Sequence, residues 1–266
     1  MNELSDLKVF QHRPSLYEDI VADIIELWPG GGVHVDGGAH IGHHTDFMLR
    51  RRDVARVVAV EAIPELCERI ARRFSNQPRL DLRQCALGRQ AGEASFNIGT
   101  DALGYSGLRE RQIAAVKSWR TITVPVHTVD EVVGPVDRSR VGVIKLDLEG
   151  GEFDALRGAT ETIAASRPAI VFENGLRTPA ALYGYGWDDV AAWMAETGYA
   201  VHDFFGERLD RRTWDAPLKT YMFVALPDTL DAQRWRSEVL GARVRQRAEA
   251  GLAEYLATFH ARMYDV

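Results

Sequence analysis

The pattern of the chain predicts a doubly wound α/β fold, a mostly parallel sheet with one antiparallel final strand and helices on both faces. Three observations carry that expectation. Short apolar runs (GVHVDGG, RVVAVEAI, LDLRQCALG) alternate with the amphipathic stretches HTDFMLRRR and PELCERIARRF, which is the βαβαβ rhythm of a parallel sheet covered on both sides. The rhythm resumes with VGVIKLDLEGGEFDALRGATETIAA, a strand and helix, then the strand PAIVFENG and a helix through WDDVAAWMAETG. Finally, YAVHDFF and KTYMFVALP are joined by the turn-rich GERLDRRTWDAPL, which reads as helix-free, so these last two strands pair antiparallel.

Taken in order, SLYEDIVADIIELW spaces Leu16, Ile20, Ile24 and Leu27 on one helical face, with Ser15 and Glu18 forming a capping box. PGGG ends that helix. After the third strand the rhythm breaks: EASFNI and TITVPVHTV alternate apolar and polar residues around GTDALGYSGLRERQ, an excursion expected to reach over the site. Beyond Pro227 the pattern is helical, and Leu252, Tyr255, Leu256, Phe259 and Met263 form an apolar stripe that packs on the core or on a second subunit. With no internal repeat or Pro/Ser-rich linker, one domain is expected over residues 1–266. It divides into a helical lead (1–32), an α/β core (33–227) and a helical extension (228–266) able to serve a homo-oligomer.

Composition narrows the function. At 266 residues and 46% hydrophobic, the chain can bury a full core. Its 32 Lys+Arg against 38 Asp+Glu supply no basic field for a polyphosphate backbone, so a nucleic-acid partner is not expected and a small substrate is. Cys67 and Cys85 are isolated thiols, neither a disulfide framework nor a zinc knuckle, which fits a reducing cytoplasm. MNELSDLKVFQHRP lacks a signal-peptide pattern and no window reaches a membrane span, so neither export nor a membrane anchor is expected.

The chemistry centres on VHVDGGAHIGHHTDF, at the turn from the first core strand into its helix. In this architecture ligands sit beyond the carboxyl ends of the strands, against loop N–H groups and a helix N-terminus. Gly37, Gly38 and Gly42 allow close backbone approach, Thr45 falls in the first helical turn, and Glu61 ends the second strand where a ribose-binding acid belongs. Asp36 chooses between ligands. A carboxylate aimed at a pyrophosphate is repelled, whereas one beside a sulfonium gains on the order of 4 kcal/mol at 4 Å for an effective dielectric of 20. The sign favours a cationic cofactor; the alternative is a simple helix cap.

VDGGAHIGHHT, VVAVEAIPELCERI, CALG followed by GYSGL, and above all IKLDLEGGEFDALRGA and IVFENG, in this order and spacing, resemble the FkbM-type S-adenosylmethionine-dependent methyltransferases over roughly Gly32 to Leu226. Three positions depart from that family: His40 stands where Asn is usual, Gly37 where an aliphatic residue is, and Ala62 where a proline commonly follows the acid. The resemblance implies a Rossmann-like class I methyltransferase fold with a seven-stranded sheet. It also implies S-adenosyl-L-methionine as cofactor, S-adenosylhomocysteine as product, and O-methylation of a sugar, glycan or other small natural product. Asp36, Gly38, Ala39 and Gly42 would hold the methionine end, Glu61 the ribose hydroxyls, and Cys85, Ala86 and Leu87 the adenine, with Gly37, His40, Thr45, Ala62 and Ser106 completing the set. Cys85 has an alternative reading as a small core residue.

IKLDLEGGE leaves a buried strand with Lys145, Asp147, Glu149 and Glu152, and carboxylates so crowded are costly unless they face a cation or polar ligand. Asp147 is expected to line the methionine amino group and the methyl. Glu149, Glu152 and Glu173 are candidates for orienting or deprotonating the acceptor, and His127 is a second base candidate. Lys145 is a candidate structural ion-pair partner. Tyr105, Tyr183, Tyr185 and Trp187 offer aromatic faces to a sugar or ring, or else seal the core. No metal is expected: His40 and His44 have helical ligand spacing, but Ile41 stands where the HExxH glutamate belongs; the alternative is a divalent cation held by the Asp147–Glu152 cluster. The competing functions are a nicotinamide-dependent oxidoreductase, against which Asp36 and the lack of a Ser-Tyr-x-x-x-Lys arrangement count, and a non-catalytic S-adenosylmethionine-binding module.

Overall fold

The computed structural model describes residues 15–251 except Gln112 and Gly175. Helix α1 (Ser15–Leu27) precedes β1 (Gly32–Gly37), α2 (His43–Arg50), β2 (Val54–Glu61), α3 (Pro64–Arg73) and β3 (Leu80–Gln84). The segment read as one strand, LDLRQCALG, is two: β4 (Ala86–Leu87) leaves β3 and joins β5 (Gly92–Gly99) and β6 (Trp119–His127) in a separate three-stranded sheet. The main chain path then follows α4 (Val129–Val133), β7 (Val141–Leu146), α5 (Glu152–Arg157), α6 (Thr160–Ser166), β8 (Ala169–Glu173), α7 (Arg177–Tyr183), α8 (Trp187–Thr197) and β9 (Tyr199–Asp203). A short helix, α9 (Arg211–Asp215), lies in the connection expected to be helix-free. Asp210 caps it by accepting from the Thr213 N–H at 2.8 Å, and buried Trp214 anchors it to the core. Then come β10 (Met222–Pro227), α10 (Leu230–Arg234), a π-helical turn (Trp235–Leu240) and helical residues 241–251.

The seven-stranded sheet runs β3-β2-β1-β7-β8-β10-β9. Its strands are parallel except β10, which pairs antiparallel with both β8 and β9. The expected α/β class, sheet and antiparallel last strand are therefore present, with β10 inserted between its two partners. Alternate residues of each strand feed opposite layers, as the two-residue period of a strand requires. Val35, Val60, Ile144, Leu146 and Ile170 pack with Phe153, Leu156 and Trp193 on one face. Val57, Val143, Val171 and Val224 pack with Ile20, Ile24, Met48, Leu240 and Val244 on the other.

The terminal helices thus cover the second face. Buried Asp23 of α1 accepts two hydrogen bonds from Arg247, both 2.9 Å, and Trp28 meets Trp235 edge-on at 4.9 Å. Ser15 is itself helical, and Glu18 turns from the expected capping box toward His44, its carboxylate 2.8 Å from Nε2. The apolar stripe from Leu252 to Met263 lies outside the described residues.

Candidate active site

A cavity of about 280 Å³ opens at the carboxyl ends of β1, β2 and β7, where the sheet order reverses on either side of β1. Its lining has three zones. Gly38, Ala39 and His40 form one wall beside Glu18, His43, His44, Lys145 and Asp147. Glu61 and Ala62 lie at the end of β2, which the sheet order sets between β3 and β1, and Ile63, Leu66, Cys85, Ala86, Leu87, Phe96, Leu103, Ser106 and Leu108 make a largely apolar lobe beyond them. The excursion between β5 and β6 does reach over the site, since Leu103, Ser106 and Leu108 come from it and Phe96 of β5 stands beside them.

The glycine loop is shaped by close approach. A Cβ on Gly38 would fall 1.9 Å from the Asp147 carbonyl oxygen, and φ there is +72°. At Gly37 the space of a Cβ is filled by the Leu146 and Leu87 methyls at 2.8 and 2.9 Å, which accounts for glycine at a position that is usually aliphatic. His40 sits at φ 52°, left-handed backbone in which Asn, Asp and His are enriched, so its backbone rather than its ring explains the exchange with Asn. From that conformation the His40 N–H donates to Glu61 at 2.8 Å, while burial lowers the pKa of the ring.

Glu61 is 6% exposed, and its second carboxylate oxygen accepts from the Ile63 N–H at 2.8 Å. Burial pushes its pKa up to about 7 against these two bonds. Each oxygen keeps a lone pair free, so two adjacent hydroxyls can donate to it.

Asp36 corrects the expectation drawn from charge. It is fully buried and does not line the cavity. One oxygen accepts from Thr45 Oγ1 at 2.6 Å, and the other lies 3.6 Å from Lys145 Nζ with no hydrogen-bond partner. Lys145, also buried, donates to the Gly38 carbonyl at 3.2 Å and lies 3.5 Å from Asp147. Burial opposes its charge, yet Asp147, Asp36 and Glu18 together raise its pKa. Asp36 is therefore neutralised from behind, and the carboxylates presented to the cavity are Asp147, Glu61, Glu18 and Glu149. Gly37, Gly42 and Thr45 likewise support the loop without lining it: Thr45 is fully buried, and Gly42 packs on Phe74.

The LEGGE turn is strained, with φ 57° at Glu149 and 110° at Gly150. Glu152 closes it, one carboxylate oxygen accepting from the Leu148 N–H at 2.7 Å and the Gly150 N–H at 3.1 Å, while the other is buried and unpartnered. Burial raises its pKa to about 7. Glu173, at the end of the adjacent strand, is pushed up to about 8, first by burial and then by the charges of Asp147 and Glu152. Glu149 is ion-paired with Arg111 of the excursion.

Several aromatic and base candidates fall elsewhere. Tyr185 is 7% exposed, receives a hydrogen bond from Asn174 Nδ2 at 3.0 Å and packs on Phe153 at 4.7 Å, so it is core. Trp187 packs at 6.1 Å from Trp214 against the same core. His127 is half exposed, with Nδ1 3.2 Å from the Glu131 carboxylate at the start of α4, and it does not reach the cavity. Tyr105 is 40% exposed beside the lining residues Gly104 and Ser106, whose Oγ accepts from the Gly99 N–H at 3.1 Å. Tyr183 keeps a buried, unpartnered hydroxyl against the LEGGE turn. Residues that the sequence did not assign to the cavity include Phe96, Leu103 and Leu108 in the apolar lobe, and Glu18 and His44 at the charged end. Only the alternation in EASFNI hinted at the first of these.

Residues 36–201 match the model of the methyltransferase FkbM domain, and the chain belongs to that family of methyltransferases. It is 26% identical over 174 residues to methyltransferase 1 of Beauveria bassiana, an alignment covering 59% of this chain and 70% of that protein. Among solved structures, methyltransferase FkbM from Methylobacillus flagellatus KT superposes with a TM-score of 0.47 at 17% identity. The match covers 74% of this chain but only 43% of that longer one. Precorrin-6y C5,15-methyltransferase from Geobacter metallireducens GS-15 superposes at 0.42 with 13% identity, covering 79% and 88%.

Proposed function

We propose that this chain transfers a methyl group from S-adenosylmethionine to a hydroxyl of a sugar, glycan or other small natural product. The observation that carries the reading is the zoning of one cavity: an apolar lobe, a carboxylate with two free lone pairs, then a charged end. That order matches adenine, a ribose diol and an amino-acid head. Phe96, Leu103 and Leu108 would cover the adenine, Glu61 would accept from the ribose hydroxyls, and Asp147 would face the methionine end. When bound, the cofactor supplies an electrophilic methyl on a sulfonium, open to in-line attack by an acceptor oxygen.

An alcohol is a poor nucleophile at neutral pH, and a positioned base contributes about 10²-fold to 10⁴-fold. Glu173 does not line the 280 Å³ cavity, but it ends β8 next to β7 within the field of the lining residue Asp147, and there its raised pKa makes it a stronger proton acceptor than an ordinary carboxylate. Glu152 holds the turn that carries Glu149 rather than meeting the acceptor itself. Asp36, Asp147 and Glu149 against Lys145 and Arg111 leave this end of the site short of positive charge, which disfavours a phosphorylated acceptor and favours a neutral hydroxyl.

Among the described residues no helix is long and apolar enough to cross a membrane; buried free Cys67 and Cys85 suit a reducing cytoplasm. Thermal shift with S-adenosylmethionine, S-adenosylhomocysteine and NAD, followed by labelled-methyl transfer to a panel of sugars and hydroxylated metabolites, tests the reading. Stabilisation by NAD alone would overturn the cofactor, and transfer only to amines would overturn the acceptor class.

A further inference from the structure

Glu18 belongs to α1, upstream of the residues matched by the family model, yet it lines the cavity at its charged end. Two contacts fix it there. His44 Nε2, in the helix that follows the glycine loop, lies 2.8 Å from its carboxylate. The helix that carries it is clamped to the sheet by Ile20 and Ile24 and to the C-terminal helix by Asp23 and Arg247. The local charge balance gives the contact meaning. Lys145 is shared between Asp36 at 3.6 Å and Asp147 at 3.5 Å, one ammonium for two carboxylates. Glu18 adds a third carboxylate on the cavity wall, with His44 in contact and Lys145 and His43 acting on it at longer range. A surplus of negative charge beside a partly desolvated cavity is a place for a ligand cation.

We infer that Glu18 is a cofactor-binding residue, held by His44 as a positioning residue, whose carboxylate accepts a hydrogen bond from the ammonium of the ligand's amino-acid head. The inference rests on the S-adenosylmethionine reading of the cavity. It adds that the binding site is completed by the N-terminal helix, outside the matched domain. The Glu18 side chain is half exposed, so its replacement is expected to leave the fold intact, whereas buried Asp36 and Lys145 are part of the framework.

The test is calorimetry of the full chain with two ligands, S-adenosylhomocysteine and 5′-methylthioadenosine, which shares the adenosine and thioether but lacks the amino-acid head. Glu18→Ala is expected to weaken S-adenosylhomocysteine binding by about tenfold, as for loss of a charge-assisted hydrogen bond, and to leave 5′-methylthioadenosine unchanged. Glu18→Gln, which keeps an acceptor but no charge, falls between, and His44→Gln gives a smaller loss confined to the same ligand. Equal weakening of both ligands, or no weakening of either, overturns the assignment of Glu18. Failure of the wild-type chain to bind either ligand overturns the cofactor reading beneath it, and the two failures are told apart by the wild-type titration alone.

Discussion

Replacing Lys145 by Met isolates the role of the buried charges behind the glycine loop. At 3.6 Å and an effective dielectric of 20, the attraction between Lys145 and Asp36 is about 4–5 kcal/mol before desolvation is counted. Both groups are buried, so removing the cation strands a carboxylate with one hydroxyl donor, Thr45, and an oxygen that has none. Breaking such a pair costs about 3–5 kcal/mol, whereas replacing both partners by neutral groups is often close to neutral. Lys145→Met should therefore lose about 3–5 kcal/mol in urea unfolding at neutral pH, and Asp36→Asn in the same chain should restore about 2 kcal/mol or more of it. A cycle in which Lys145→Met costs under about 1 kcal/mol, or in which the second substitution deepens the loss, would refute the view that Asp36 is a framework carboxylate neutralised by Lys145.

Gly38→Ala should destabilise by more than about 2 kcal/mol and remove S-adenosylhomocysteine binding, because left-handed backbone alone costs about 1–2 kcal/mol and the added carbon meets the Asp147 carbonyl. Gly92→Ala, whose Cβ meets nothing within 4 Å, should stay within about 0.5 kcal/mol in the same urea titration. Tyr185→Phe should cost about 1 kcal/mol of stability through the lost Asn174 bond and leave acceptor KM unchanged, while Tyr183→Phe should raise KM with little effect on stability. The rate of methyl transfer should climb as pH rises through about 8, where Glu173 loses its proton, and Glu173→Gln should abolish that rise without weakening S-adenosylhomocysteine binding. Glu152 holds its proton up to about pH 7 when folded but releases it near 4.5 when unfolded, so the native state binds more protons between these values and stability falls as pH rises across them. Urea unfolding of Glu152→Gln should show a shallower fall over that window than the wild-type chain, and an unchanged slope would locate the effect elsewhere.

The parallel strands were legible because burial on both faces writes them as continuous apolar runs, as in Val57–Val60 and Ala169–Phe172. Short helices were not: α9 spans five residues, too few for a period to register, and is held by an Asp210 cap and by Trp214. The loop glycines, Glu61 and the excursion over the site followed from position relative to strand ends. Asp36 was misjudged because its counter-ion sits on β7, far away in sequence, and a local charge says nothing of what neutralises it from behind. Tyr185 and Trp187 illustrate the same limit, since an aromatic in a glycine-rich loop looks available until the core it plugs has been assembled. Glu18 was read only for its helix, whereas its place in the site depends on how α1 packs across α2.

A crystal structure of the chain grown with S-adenosylhomocysteine tests the central claim most directly. The adenine is expected in the lobe of Phe96, Leu103 and Leu108, both ribose hydroxyls on Glu61, and the amino-acid head between Gly38, Asp147 and Glu18. A ligand bound away from Glu61, or a Glu61 carboxylate left without ribose contacts in a complex of full occupancy, would contradict it.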